Sequence, residues 1–158
     1  MGMESGTATA LVGEREAWAP PAWTRQRAAT VDAHGRRNVA TVLVVDDNEA
    51  VRVSVAEVLR FVGYTVIESS HGVDAFRLLR VMRFDAMVLD LRMPYLDGPS
   101  LLAALPKAPP VIILSAYEPS GDDVRGGLKR WVIRWLKKPV PVHELLDTVA
   151  AVLDAPSP

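Results

Sequence analysis

The sequence contains no cysteine, so disulfide bridges, thiolate metal sites and cysteine nucleophiles are all excluded. No apolar run approaches the roughly 18 residues that a membrane-spanning helix needs. The formal net charge is only −1, which argues against bulk attraction to nucleic acid or to an anionic membrane. The amino terminus lacks the continuous apolar core of a secretory signal. We therefore expect a cytoplasmic protein that binds neither nucleic acid nor membrane directly.

Two regions of different character divide the chain. Residues 1–40 are rich in alanine, carry Pro20-Pro21 between Trp18 and Trp23, and follow no regular hydrophobic period. This predicts a mostly flexible extension, although docking of the two tryptophans on the domain or on a partner stays open. Residues 41–154 form the predicted domain, and residues 155–158 a short tail.

Strand-like and helix-like segments alternate from Thr41 onward. Such alternation predicts an α/β fold with a parallel sheet, and nearly continuous apolar strands are typical of a sheet covered on both faces. The sequence therefore predicts a doubly wound, five-stranded parallel sheet with helices on both faces. The predicted strands cover residues 41–45, 65–68, 85–89, 111–114 and 132–136; the helices run from about residue 49 to Gly63 and over 73–82, 99–105, 122–130 and 142–153.

Polar side chains follow four of these strands. Asp46 and Asp47 come directly after the first, Asp90 after the third, Ser115 after the fourth and Lys138 shortly after the fifth. The carboxyl ends of parallel strands converge on the crevice where such sheets bind ligands. Three carboxylates there would raise one another's pKa, and a divalent cation would relieve the repulsion. A ligand set that consists only of oxygen atoms favours Mg²⁺.

The same set of side chains favours phosphoryl transfer. A carboxylate can act as a nucleophile and form an acyl phosphate, and Asp90 is the best candidate. Lys138 offers a compact positive charge for phosphoryl oxygens, and Ser115 offers a hydroxyl. A pair of aspartates or a lysine would alone be weak evidence for such a site, because each is common as a purely structural feature.

Residues 42–47, 88–94 with 97–98, 112–116 and 136–139 resemble the receiver domain of two-component response regulators, of the stand-alone kind. The resemblance spans residues 41–153. It implies the flavodoxin-like strand order 2-1-3-4-5 and a switch phosphorylated by a sensor histidine kinase or a histidine phosphotransfer protein. It implies no enzyme activity beyond the protein's own phosphorylation and dephosphorylation.

Residue by residue, the resemblance makes Asp90 the phosphoacceptor, Ser115 the switch hydroxyl and Lys138 the lysine that completes the catalytic set. The implied Mg²⁺ ligands are Asp46, Asp47, Asp90 and the backbone carbonyl of Arg92.

Several residues depart from the family pattern. Trp135 stands where the family has a rotating Tyr or Phe, so it is either a switch partner of Ser115 or a fixed packing residue. Trp131-Val132 replaces a small Gly-Ala step, and Gly126-Gly127 weakens the fourth predicted helix, which we expect to be irregular. Arg92 and Tyr117 occupy variable positions beside the pocket and are predicted to alter the lifetime of the phosphorylated state.

Output is expected through protein–protein contact, because only five residues follow the last predicted helix. The surface formed by the fourth helix, fifth strand and fifth helix is where the resemblance places a downstream target or a homodimer contact. It carries a basic run that is either a solvated face or a docking surface for an acidic partner: Arg125, Lys129, Arg130, Arg134, Lys137 and Lys138.

Three other function classes share parts of this pattern. A phosphate-independent interaction module with a retained pocket stays open as the alternative. A phosphohydrolase of the haloacid-dehalogenase type needs a second acid two residues after its nucleophile, where this chain has Arg92. A nucleotide-binding Rossmann protein needs a glycine-rich turn after the first strand, where Asp46-Asp47-Asn48 stands.

Overall fold

The computed structural model describes residues 29–31, 37–117 and 130–155. From Thr41 onward the described strands and helices follow the predicted order. Each element end lies within one residue of the predicted one, except that the first helix ends at Phe61, two residues before Gly63. The strands are β1 (Ala29–Val31), β2 (Arg37–Val39), β3 (Thr41–Val45), β4 (Thr65–Ser69), β5 (Ala86–Leu89), β6 (Val111–Ser115) and β7 (Val132–Lys137), and the helices are α1 (Glu49–Phe61), α2 (Gly72–Val81), α3 (Gly98–Ala104) and α4 (Val142–Asp154).

Five parallel strands form the central sheet in the order β4-β3-β5-β6-β7. Counted from the first predicted strand, this is the order 2-1-3-4-5, so the predicted fold is confirmed. The chain reverses its direction of winding between β3 and β5. Their carboxyl ends, which carry Asp46 and Asp90, therefore lie side by side at the point where such sheets bind ligands.

The two faces of the sheet bury separate hydrophobic clusters, because successive side chains of a strand point to opposite faces. Val42 and Val44 contribute to the cluster that includes residues of α1 and α4. Leu43 and Val45 contribute to the cluster that includes residues of α2 and α3. Every residue of β5 and β6 is buried, as expected for inner strands of a covered sheet.

The ends of α1 follow the sequence signals. The Asn48 side chain accepts a hydrogen bond from the Val51 N–H at 3.2 Å and caps the amino end. At the carboxyl end Gly63 adopts a φ of 103° and donates its N–H to the Arg60 carbonyl at 2.9 Å. Only glycine adopts that backbone conformation without steric cost, so Gly63 ends the helix as predicted.

A small antiparallel pair precedes the sheet. Strands β1 and β2 pair with Ala29 opposite Val39, inside the region where the sequence predicts a mostly flexible extension and no strand. The other residues of that extension lie outside the described ranges, as does nearly all of the fourth predicted helix with Gly126-Gly127. A register shift in the β6–β7 pairing, between Val111 and Ile112, marks the β7 flank of that helix. No helix in the described ranges is long and apolar enough to cross a membrane.

Candidate functional site

Asp46 and Asp47 follow β3 directly and differ in their exposure to solvent. Asp46 is 3% exposed, whereas Asp47 is exposed to solvent. The Asp46 Oδ1 accepts the backbone N–H of Asn48 at 2.9 Å, and this bond holds the buried carboxylate against the turn into α1. The adjacent pair thus offers one fixed carboxylate and one that solvent can reach.

Asp90 follows β5 and lies beside the acidic pair. Its backbone N–H donates to the Val45 carbonyl at 2.9 Å, which extends the pairing of β3 and β5 by one residue. Asp90 itself is 6% exposed. One carboxylate oxygen from each of Asp46, Asp47 and Asp90 lies within 4.8 Å of the others. The predicted convergence of these three side chains is therefore present.

Lys138 supplies the positive charge of the site. Its Nζ lies 2.5 Å from Asp46 Oδ2 and 3.4 Å from Asp90 Oδ1. The Lys138 N–H donates to the Ser115 carbonyl at 2.8 Å, which holds the lysine beside the end of β6. Lys138 thus bridges the two buried carboxylates.

Ser115 ends β6 and is fully buried. Its Oγ accepts the Tyr117 N–H at 3.2 Å, within the loop that follows the strand. The hydroxyl predicted as a switch therefore lies at the same carboxyl edge of the sheet as Asp46, Asp90 and Lys138, with its oxygen engaged by its own loop.

Burial raises the pKa of the Asp90 carboxyl above its ordinary value of 3.8. The nearby ammonium of Lys138 lowers this pKa and the charges of Asp46 and Asp47 raise it, but the loss of hydration is the largest effect and sets the direction. Ionised Asp90 is therefore a poorly hydrated carboxylate close to other negative charges. A cation placed among the three aspartates would stabilise its ionised form.

The loop after β5 approaches its own backbone closely at Gly98. The Gly98 N–H donates to the Leu91 carbonyl at 3.0 Å. A Cβ at this position would lie 2.8 Å from the Asp90 carbonyl oxygen and 3.0 Å from the Leu91 Cα. Glycine is therefore required for the loop to fold against the phosphoacceptor candidate. The sequence contained the Asp97-Gly98 signal, but only as a family motif without this physical reason.

Arg92, in the loop after β5, contacts Tyr117, in the loop after β6. The Arg92 guanidinium carbon lies 4.8 Å from the centre of the Tyr117 ring, and both residues are exposed. Trp135 on β7 is partly buried, and its Nε1 donates to the Tyr117 carbonyl at 3.4 Å. Tyr117 therefore connects the loops after β5 and β6 to the edge strand, a link that the sequence did not reveal.

The donor set fits a magnesium ion. All the available side-chain ligands are carboxylate oxygens, which hard cations prefer, and one of the three carboxylates remains open to solvent. Burial and mutual repulsion oppose ionisation of Asp90, and a divalent cation offsets both effects. The Lys138 ammonium gives part of the same compensation within the protein itself.

A doubly wound parallel sheet that gathers three carboxylates, a lysine and a hydroxyl at its carboxyl edge defines a flavodoxin-like domain with an acidic pocket. Residues 42–150 match the response regulator receiver domain, and the chain belongs to this family.

Curated relatives include a response regulator, MprA, of Mycobacterium sp. (strain KMS), 38% identical over 120 residues that make up 74% of this chain and 52% of the relative. Another is the transcriptional regulatory protein PrrA of Mycobacterium tuberculosis, 41% identical over 115 residues, with 71% of this chain and 49% of the relative covered. The chain thus spans about half the length of these relatives.

Solved structures that resemble this chain also include response regulator receiver domains. The receiver domain of the Francisella response regulator 1452 is 33% identical, with a TM-score of 0.65 over 72% of this chain and 96% of that chain. The chemotaxis protein CheY4 of Vibrio cholerae is 30% identical, with a TM-score of 0.66 over 73% of this chain and 99% of that chain. Receiver domains act as phosphorylation switches in two-component signalling, interact with histidine kinases and generally bind Mg²⁺ in an acidic pocket.

Proposed function

We propose that this protein is a phosphorylation-activated switch that accepts a phosphoryl group on Asp90 and signals by binding another protein. The donor is a phosphohistidine on a sensor histidine kinase or on a histidine phosphotransfer protein. One observation carries the proposal: the buried Asp90 carboxylate lies 3.4 Å from the Lys138 ammonium and is grouped with the carboxylates of Asp46 and Asp47.

The chemistry follows from this arrangement. An oxygen of the Asp90 carboxylate attacks the phosphorus atom, the new O–P bond forms as the P–N bond to histidine breaks, and the imidazole leaves. Lys138 pairs with a phosphoryl oxygen, and the Ser115 hydroxyl donates a hydrogen bond to another. Attack of water on the phosphorus later releases inorganic phosphate and restores the carboxylate. The protein catalyses these two steps on itself and acts on no other substrate.

Asp46, Asp47, Asp90 and the backbone carbonyl of Arg92 are the residues proposed to hold Mg²⁺. When bound there, the ion would neutralise negative charge on the phosphoryl oxygens. The protein's own part is to keep the ligands together: Asn48 fixes Asp46, and Gly98 lets the loop after β5 fold against Asp90.

The switch itself is an equilibrium between two arrangements of the loops after β5 and β6. A phosphoryl group on Asp90 draws Ser115 and Lys138 toward its oxygens, and the bond from Trp135 to Tyr117 transmits the movement to β7. Exposed residues of β7, Ile133 and Arg134 among them, support this edge as the surface that a target or a second copy of the chain contacts.

Intact-mass measurement after incubation with acetyl phosphate and Mg²⁺ tests the proposal. Wild type should gain one phosphoryl group, and Asp90→Ala should gain none. Asp74→Ala removes an exposed aspartate of α2 and should be phosphorylated like wild type. A wild-type protein that stays unmodified would instead favour the phosphate-independent interaction module.

A further inference from the structure

Arg52 contacts the peptide group that joins the two adjacent aspartates. Its side chain is 14% exposed, and its Nη1 donates to the backbone carbonyl of Asp46 at 2.9 Å. That carbonyl belongs to the peptide plane between Asp46 and Asp47. The bond restrains the orientation of this plane, and with it ψ of Asp46 and φ of Asp47, the backbone torsions that set how the two side chains leave the backbone.

Glu68 on β4 holds the Arg52 guanidinium from the other side. Glu68 Oε2 lies 3.5 Å from Arg52 Nε, and Glu68 Oε1 lies 2.9 Å from Nη1 of Arg60. Arg60 in turn donates to the Val66 carbonyl at 3.1 Å. The Arg52 side chain is therefore held in one orientation by an ion pair that is itself tied to the edge strand of the sheet.

Other groups already fix the rest of Asp46. Its N–H donates to the Ser69 carbonyl at 3.2 Å, Oδ1 accepts from Asn48 and Oδ2 from Lys138. Arg52 supplies the hydrogen bond to the remaining backbone group. A cation near the amino end of a helix interacts unfavourably with the helix dipole, and Arg52 lies in the fourth position of α1. Its contacts to Asp46 and Glu68 offset that cost.

We propose that Arg52 is a positioning residue for the metal site: by fixing the peptide plane between Asp46 and Asp47, it pre-orients their carboxylates for a divalent cation. The inference rests on the proposed function, since it concerns the same acidic pocket. Groups that orient metal ligands in this way are commonly worth about 10- to 100-fold in metal affinity.

The sign of the change in affinity separates positioning from simple charge. Removal of a positive side chain near the site would tighten Mg²⁺ binding if only long-range electrostatics mattered. Loss of a positioning bond weakens it. Isothermal titration of the unphosphorylated full chain with MgCl₂ should show Arg52→Met binding about 10-fold more weakly than wild type. Arg52→Lys keeps the charge but cannot reproduce the two-sided contact, and its affinity should fall between the two.

Two further variants complete the experiment. Glu68→Gln weakens the anchor of Arg52, but it also removes a negative charge, so a lower Mg²⁺ affinity of this variant is expected from electrostatics as well and serves only as a comparison. Arg52→Lys, which keeps the charge, decides the question if Arg52→Met fails to fold. Arg77→Met removes an exposed arginine of α2 that pairs with Asp74 and should leave the affinity unchanged. Thermal unfolding without metal measures any general loss of stability separately.

Unchanged or tighter Mg²⁺ binding by Arg52→Met, or wild-type affinity in Arg52→Lys if Arg52→Met does not fold, against a wild type that binds the ion, would overturn the positioning role alone. A lowered unfolding temperature with unchanged affinity would reduce Arg52 to a structural residue and would have the same consequence. Absence of Mg²⁺ binding by wild type would overturn the proposed metal site and, with it, this inference.

Discussion

At the scale of single residues, Asp90 is buried where its surroundings disfavour the ionised form of its carboxyl group. Its pKa is raised above 3.8, chiefly by burial, so between 3.8 and the raised value the folded protein binds more protons at this site than the unfolded chain does. Stability therefore falls as pH rises through that window. Ionisation of this carboxylate, which the proposed chemistry requires, therefore comes at a cost to folding.

Asp90→Asn should consequently raise the free energy of unfolding in metal-free buffer at pH 7, because the amide has no charge to desolvate. The gain should shrink as the pH falls and should stop changing below 3.8, where the wild-type carboxyl is protonated in both states. Urea unfolding at several pH values measures it. Asp74→Asn, an exposed surface change, should shift stability by less than about 0.5 kcal/mol. A gain that is constant with pH would contradict the explanation.

Tyr95 is an exposed residue whose backbone conformation is strained. It adopts a φ of 69° and is 93% exposed, with the Leu96 N–H bonded to the Pro94 carbonyl at 2.9 Å across it. The left-handed region costs a residue with a Cβ roughly 1–2 kcal/mol. Its ring makes an edge contact with His71, at 6.4 Å between centroids, which returns little of that energy.

Tyr95→Gly should therefore stabilise the fold by about 0.5–1 kcal/mol, since glycine removes the steric cost but adds freedom to the unfolded chain. Tyr95→Ala is the matched control, because alanine removes the ring and keeps the Cβ. Denaturant unfolding compares the three proteins. If alanine stabilised as much as glycine, the ring and not the backbone would be responsible.

At the scale of elements, the inner strands were predictable and the irregular connections were not. Residues 42–45 of β3, 86–89 of β5 and 111–114 of β6 are unbroken runs of buried apolar residues, whose pattern and length indicate strands without any knowledge of the fold. β1 and β2 have three residues each, too few to show a period. The Lys138–Asp46 pair joins residues 92 positions apart, and no local pattern reports the distance between them.

The site was predictable as a set of residues but not as a set of contacts. Strand ends identified the three aspartates, Ser115 and Lys138, because parallel strands bring their carboxyl ends together. The contact of Arg52 with the Asp46 carbonyl depends on the conformation of the turn from β3 into α1, and its pairing with Glu68 depends on how α1 packs against β4; sequence spacing fixes neither. The stacking of Arg92 on Tyr117 likewise depends on the path of two loops.

The Arg92–Tyr117 pair bridges the loops after β5 and β6, and its removal should open Asp90 to water. Arg92→Ala and Tyr117→Ala should each shorten the lifetime of the phosphorylated protein by at least about twofold, in line with the 0.5–1 kcal/mol typical of an exposed cation–π pair. Loss of phosphate after removal of acetyl phosphate can be followed by intact mass.

A matched control for this pair lies on α2, where the Arg80 guanidinium carbon lies 5.9 Å from the centre of the Phe76 ring, in a helix that carries no proposed site residue. Arg80→Ala should leave the lifetime unchanged. Equal lifetimes for wild type, Arg92→Ala and Tyr117→Ala would remove the proposed shielding role of the pair.

At the scale of the whole molecule, one sheet separates two cores, and neighbouring residues of a strand belong to different ones. Ile112 packs in the cluster on the α1 and α4 face, and Ile113 in the cluster on the α2 and α3 face; both are fully buried. The site lies at the edge where both cores end. Its geometry therefore depends on the two layers at once, although each layer is packed independently.

Independent packing predicts additive losses of stability. Ile112→Val and Ile113→Val should each cost about 0.5–1.5 kcal/mol. Although the two residues are adjacent in the chain, the double variant should lose the sum to within about 0.5 kcal/mol, as for sites that share no partners. Leu89 and Ile113 are paired across β5 and β6 and share a cluster, so Leu89→Ala with Ile113→Val should couple by more than that amount. Denaturant unfolding of the single and double variants of each pair measures the two coupling energies. Strong coupling between Ile112 and Ile113 would mean that the sheet transmits packing changes from one face to the other. Equal coupling in the two pairs would contradict separate cores.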